Sequence, residues 1–224
     1  MRARGVTLSS VTDSRSTTRK GAPRVRLPSA QRRESILTAA TEVFAESGYR
    51  RGKVSEVAAR LGVSEPVVFQ NFGSKAALFA AVLDRAVARV REALDASLDQ
   101  GASVSGLLAE FLAPDHMDRF HTPGSLGFLF ADASSLTAEP GVDDAARHAL
   151  LQLAETFASL LRSGQRDGDV RPDLDPAAGA WWLMSMLSAR TFRAAVVPDR
   201  AALEARLTAM TLNALTAREQ SAEP

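Results

Sequence analysis

Two short stretches of helical spacing, separated by one glycine, constrain this chain more than any other feature. Val54, Val57, Ala58 and Leu61 recur on one face of the first, Gly62 follows, and Val63, Val68 and Phe72 mark the inner face of the second, which runs to Gly73. Helices this short, joined by a tight turn that needs glycine's backbone freedom, read as a helix-turn-helix. Ser64 stands where it can cap the second helix. Glu65 suits the positive end of that helix's dipole, and Pro66 is tolerated in a first turn that has no internal partner for the missing N–H. With Val63, Val68 and Phe72 turned inward, Ser64, Glu65, Val67, Phe69, Gln70 and Asn71 point away from the core. Exposed Val67 and Phe69 are poor choices in water, whereas in a DNA major groove they meet thymine methyls and sugar edges.

The remainder is also helical in pattern. Ile36, Leu37, Ala40, Val43 and Phe44 predict a first helix of about 18 residues with Ser29 as N-cap and Gly48 closing it. Ser74 predicts the cap of a long helix reaching Asp99. Further helical segments follow over 103–113, 125–136, 142–166, 176–195 and 200–218, with a broken stretch around Pro114, Pro123 and Gly124. Alternating, β-branched runs are absent, so the fold class is all-α. The longest apolar run, Ala76 to Leu83, is far shorter than the roughly 18 residues of a membrane span, so no membrane association is expected. No cysteine is present, which removes disulfides and thiolate chemistry and fits a reducing compartment. No apolar signal segment follows Arg2 and Arg4, so the expected location is the cytoplasm.

Among 224 residues the net charge is only +1, but the charge is unevenly placed. Residues 1–75 hold fourteen cations and six acids, a net of +8, leaving −7 for the rest. A basic segment beside an acidic body is the footprint of phosphate binding. Residues 1–27 are rich in Arg, Ser and Thr and poor in large apolar groups, which predicts a disordered basic arm able to lie against a duplex.

From Arg33 to Leu83 the sequence resembles the TetR family of bacterial transcriptional repressors. The resemblance is carried by Arg33, Ile36, Leu37, Ala39, Ala40, Phe44, Gly48 and Tyr49, then Val57, Ala58, Gly62, Val63 and Ser64, then Phe69, Phe72, Ser74, Lys75 and Leu78. It implies an N-terminal three-helix DNA-binding domain over 28–74, a larger helical effector-binding and dimerisation domain over 75–224, and a homodimer built through the last two helices. Three positions depart from the pattern. Gly52 beside Lys53 stands where the family usually has a capping threonine, Phe69 where it carries tyrosine, and Asn71 where it carries histidine. Phe69 cannot donate a hydroxyl to phosphate, while Asn71 can still read adenine. Lys75 is retained at a helix N-terminus, a sound phosphate site.

The candidate DNA-binding residues are therefore Arg50, Arg51, Lys53, Ser64, Val67, Phe69, Gln70, Asn71 and Lys75. Arg50, Arg51 and Lys53 have surface charge, and Gln70 a solvated helix face, as the plainer alternatives; Glu65 reads as a dipole-favoured acid. Candidates for lining an apolar effector pocket are Phe111, Phe120, His121, Phe128, Phe157, Trp181 and Met184, although most aromatics on such stripes are core. His116 and His121 lie five apart near Pro123, unlike a helical ligand pair, and His148 is remote, so no metal is expected. The acids between Gly164 and Pro176 lack the terminal glutamate of a calcium loop. No cofactor motif and no nucleophile motif occurs, so no enzyme is expected. The expected function is a sequence-specific regulator of double-stranded operator DNA, a repressor released from a palindromic operator by a small, largely apolar effector. The alternative is a non-specific nucleic-acid or nucleoid-binding helical protein relying on the arm.

Overall fold

The computed structural model describes residues 28–113, 116, 119 and 122–217. The expected N-terminal arm lies outside them; the last helix ends at Leu215, short of the predicted residue 218, because Thr216 is already extended and bridges Val170. The described residues form nine helices and no strand: α1 Ser29–Arg51, α2 Val54–Leu61, α3 Glu65–Phe72, α4 Lys75–Asp99, α5 Val104–Leu112, α6 Leu126–Ser135, α7 Asp143–Asp167, α8 Pro176–Val196 and α9 Ala201–Leu215.

Local chemistry accounts for most boundaries. Gly62 ends α2 in the left-handed conformation, and Ser74 caps α4 by accepting the Ala77 N–H at 3.0 Å. Ser103, Ser125 and Asp175 cap α5, α6 and α8 in the same way. Two expected caps differ. Ser29 is the first helical residue of α1, after Pro28, and makes no cap. Ser64 occupies the N-cap position of α3, but its hydroxyl bonds no backbone N–H of the first turn. α1 also runs past Gly48 to Arg51, broken at Gly48 by a backbone with φ 71° and ψ 172°.

One apolar core runs from Ile36, Phe44 and Val57, through Phe79 and Val82 of α4, to Leu129, Phe157 and Met184. Phe44 and Phe79 meet edge to face at 5.2 Å, which fixes the first half of α4 against α1. The N-terminal part of α4 is thus packed as part of the three-helix module, and its C-terminal part against α7. A second core of Val104, Leu108, Leu161, Val170, Leu183 and Leu215 ties α5, α7, α8 and α9 together. There the chain after α9 pairs with the α7–α8 turn through the antiparallel bridge Val170–Thr216.

Between α8 and α9 lies a buried ion cluster. Arg190 and Glu204 are 3% and 5% exposed, the Arg190 guanidinium is 3.0 Å from the Glu204 carboxylate, and Arg193 grips that carboxylate through Nε at 2.8 Å. Burial, the largest influence, pushes the Glu204 carboxyl up, but the two guanidiniums together outweigh it and hold the carboxyl below its ordinary range.

Candidate nucleic-acid interface and apolar cavity

The candidate recognition surface rests on how α3 is seated. Val68 and Phe72 are buried, so at about 100° per residue the opposite face must be outward. Ser64, Glu65, Phe69 and Gln70 are exposed there, Phe69 at 39%, while Val67 and Asn71 are half-buried at its margins. The end of α3 is held from α1: Arg33 lies 4.0 Å over the Phe72 ring and donates to the Asn71 carbonyl. The Asn71 amide nitrogen donates back to the Val67 carbonyl at 2.7 Å. Bidentate reading of adenine, which needs that amide as donor, would have to open this bond.

The cations flank this face unevenly. Lys75, the first residue of α4, sits 4.7 Å from the centre of the Tyr49 ring and 3.4 Å from the Arg50 carbonyl. Burial pulls its pKa below the ordinary lysine value, against the opposing fields of Asp132 and Glu56. Arg50, Arg51 and Lys53 surround a polar recess of about 560 Å³ that also contains Glu46 and Glu56. Arg50 is bonded to Glu139 at 2.7 Å, and Arg60 is tied to Glu42 and Glu46. Of the +8 over residues 1–75, the segment 28–75 carries seven cations and five acids, a net of only +2. Gly52 has a packing reason to replace the expected threonine: a Cβ there would stand 2.7 Å from the Phe44 ring. The N-cap of α2 is Lys53, without a side-chain cap bond.

On the other side of the shared core is a small cavity of about 50 Å³ between α4, α5, α6, α7 and α8. Phe111, Phe157 and Met184 line it, with Val90, Phe130 and Leu153. Phe128 is not on its wall. Trp181 is corrected outright: α8 turns Ala180, Leu183, Met184 and Leu187 inward, which leaves Trp181 47% exposed on the outer face. Phe120 and His121 lie outside the described residues. An apolar groove of about 410 Å³ adjoins the cavity, sharing Val90 and Phe111 and edged by Arg89, Glu110 and His116. Burial lowers the pKa of His116, whose ring is 5.2 Å from Phe111. Among the described residues no group of three His, Asp or Glu side chains could hold a metal, and no single helix is long and apolar enough to cross a membrane.

Sequence reasoning passed over Asp132 and Glu139. The Asp132 carboxylate accepts the Tyr49 N–H at 2.6 Å, joining α6 to the end of α1. A signal was present, since Asp132 is the one charged residue of this helix. α8 and α9 leave a further apolar face in solvent: Trp182 at 50%, Phe192 at 68%, with Val196, Leu203 and Met210.

Residues 36–82 match the family described as bacterial regulatory proteins, tetR family. FasR of Mycolicibacterium smegmatis, an HTH-type transcriptional activator, is 46% identical over 78 residues, 33% of this chain and 36% of that protein, so the match spans about a third of its length. UidR of Escherichia coli K12, an HTH-type transcriptional regulator, is 23% identical over 69% of this chain and 76% of its own. A TetR transcriptional regulator from Chloroflexus aurantiacus superposes with a TM-score of 0.62 at 19% identity, covering 84% of this chain and 98% of that one.

Proposed function

We propose that the chain, a DNA-binding transcriptional regulator whose residues 36–82 match the tetR family of bacterial regulatory proteins, is a sequence-specific repressor of that family released from a palindromic operator by a small, largely apolar effector. The observation that carries this reading is the outward face of α3. A half-exposed phenylalanine beside Ser64 and Gln70, on a short helix whose other side is fixed by Val68, Phe72 and Arg33, suits insertion in a major groove far better than contact with water. Lys75, Arg51 and Lys53 flank that face where phosphates would pass. The apolar face of Trp181, Trp182, Phe192, Val196, Leu203 and Met210 supports a two-fold interface of four helices through α8 and α9. Two recognition helices would then meet half-sites about 34 Å apart or a multiple of that. The cavity at Phe157 and the groove beside it support an apolar effector, which operator DNA must weaken by the same factor as the effector weakens operator binding. The reading places the protein on DNA in the bacterial cytoplasm and includes no catalytic step.

Selection of duplexes from a random-sequence pool, followed by footprinting at physiological salt, tests it: a palindromic motif should be enriched. The non-specific reading keeps one support, the concentration of positive charge in residues 1–27, which hold seven cations against Asp13 alone. Deleting that arm separates the two. A footprint that survives upholds the repressor, and equal loss on all DNA upholds non-specific binding.

A further inference from the structure

α1 contains a broken rung. In an uninterrupted helix the Tyr49 N–H would donate to the Ala45 carbonyl four residues earlier. Gly48, at φ 71° and ψ 172°, holds a backbone conformation open essentially to glycine alone and turns the two groups apart. Both are taken up by the segment that leads into and forms α6. The Ala45 carbonyl accepts the Gly124 N–H at 2.8 Å, and the Tyr49 N–H donates to the Asp132 carboxylate at 2.6 Å. The fit is close, for a Cβ on Gly48 would stand 2.8 Å from an Asp132 oxygen. The far side of the same α6 lines the cavity through Gly127, Phe130 and Ala131. Directly after the rung come Arg50, paired with Glu139, and Arg51, and the Lys75 ammonium rests on Tyr49 and the Arg50 carbonyl.

We infer that Asp132 and the Gly124 N–H form a clasp on the opened Ala45–Tyr49 rung, that Asp132 is a positioning residue for the flanking phosphate contacts, and that withdrawal of α6 lets the rung close. The element has two discrete arrangements, because the groups released by α6 are natural partners for one another. In the clasped arrangement α6 satisfies both and the three-helix module is fixed on the regulatory helices. In the unclasped one Tyr49 bonds Ala45, α1 straightens, and Arg50, Arg51 and the start of α2 swing with it. Occupation of the cavity acts on α6 and so biases this equilibrium, which is what coupling between two sites requires. The inference rests on the reading of the chain as a DNA-binding regulator.

The test uses the full-length protein and a duplex that the wild type selects from a random pool; no enrichment would sink the functional reading and not this one. Asp132→Ala is expected to weaken binding to that duplex at least tenfold. Asp132→Asn, whose amide oxygen still accepts the Tyr49 N–H, should stay within about threefold of wild type. Gly48→Ala should match Asp132→Ala, and the double variant should lose no more than the worse single one. The amide proton of Tyr49, read by NMR without DNA, should shift in Asp132→Ala and, in the same direction, in Leu153→Phe, which adds bulk to the cavity from α7 and alters none of the four clasp residues. Unchanged DNA affinity in folded Asp132→Ala, multiplying losses in the double variant, or a Tyr49 amide unmoved by Leu153→Phe would overturn the clasp. Should Asp132→Ala not fold, the Asp132→Asn and Leu153→Phe readings decide it alone.

Discussion

Glu204→Ala should be among the most destabilising single substitutions in this chain. Glu204 is 5% exposed and is the shared partner of Arg190, itself 3% exposed, and of Arg193. Removing it leaves two guanidiniums facing one another at the α8–α9 contact, one of them almost wholly out of water. Breaking a buried ion pair from one side costs about 3–5 kcal/mol, chiefly through the stranded charge. At about 2–4 °C per kcal/mol for a chain of this size, the melting temperature should fall by about 6–20 °C. Because α8 and α9 are also the proposed dimer interface, the melt must be followed by calorimetry at fixed protein concentration. The effect carries its own control. Replacing all three charged residues together by Met and Leu of similar volume should restore most of the stability, since a buried ion cluster is worth little against a well-packed apolar one. The pH dependence has a definite sign: the Glu204 carboxyl is held below its ordinary value of 4.5, so its contribution is complete above that pH and disappears as pH falls through the lower folded value. A Glu204→Ala loss below about 1 kcal/mol, or a triple variant as weak as the single one, would refute the argument.

Trp182→Glu together with Phe192→Glu should yield a folded monomer by light scattering and abolish the footprint, because two charges on each protomer would have to be buried across the two-fold axis. Lys75→Ala should weaken binding to all sequences alike and lower the slope of log affinity against log salt by about 0.9 per protomer, about 1.8 for the dimer, whereas Gln70→Ala should cost about 1–3 kcal/mol per half-site on the selected duplex and relax its sequence preference, both read by fluorescence anisotropy. Ser74→Ala should cost about 1 kcal/mol in urea unfolding, through the lost 3.0 Å cap on Ala77. Phe157→Ala should enlarge the cavity and cost about 3–5 kcal/mol by the same measurement.

Much of the fold was legible because its signals are local. The α2–Gly62–α3 unit, the Ser74 cap and the lengths of α7 and α8 all follow from periodicity and end chemistry within a few residues. The outward face of α3 follows from the same spacing, and so does the placement of Ser64, Phe69 and Gln70 on it. What failed was nonlocal. Trp181 sits on a helix apolar on nearly every side, so no stripe in the sequence tells a pocket wall from an interface. Arg50 reads as a free cation until folding brings Glu139, 89 residues away, to 2.7 Å.

The charge gradient shows the division best. The sequence alone determined that positive charge gathers at the N-terminal end and that an all-helical DNA-binding unit follows it, because composition and helical period are properties of neighbours in the chain. Only the tertiary structure decided which cations keep their charge available. Arg60 is drawn to Glu42 and Glu46, Arg50 to Glu139, and Arg33 to the Phe72 ring, while Lys75 rests on Tyr49. It also decided that the break at Gly48 opens toward Asp132, a hydrogen bond between groups 83 residues apart. A glycine in the sequence permits such a break; only a partner packed against it can give the released N–H and carbonyl somewhere to bond.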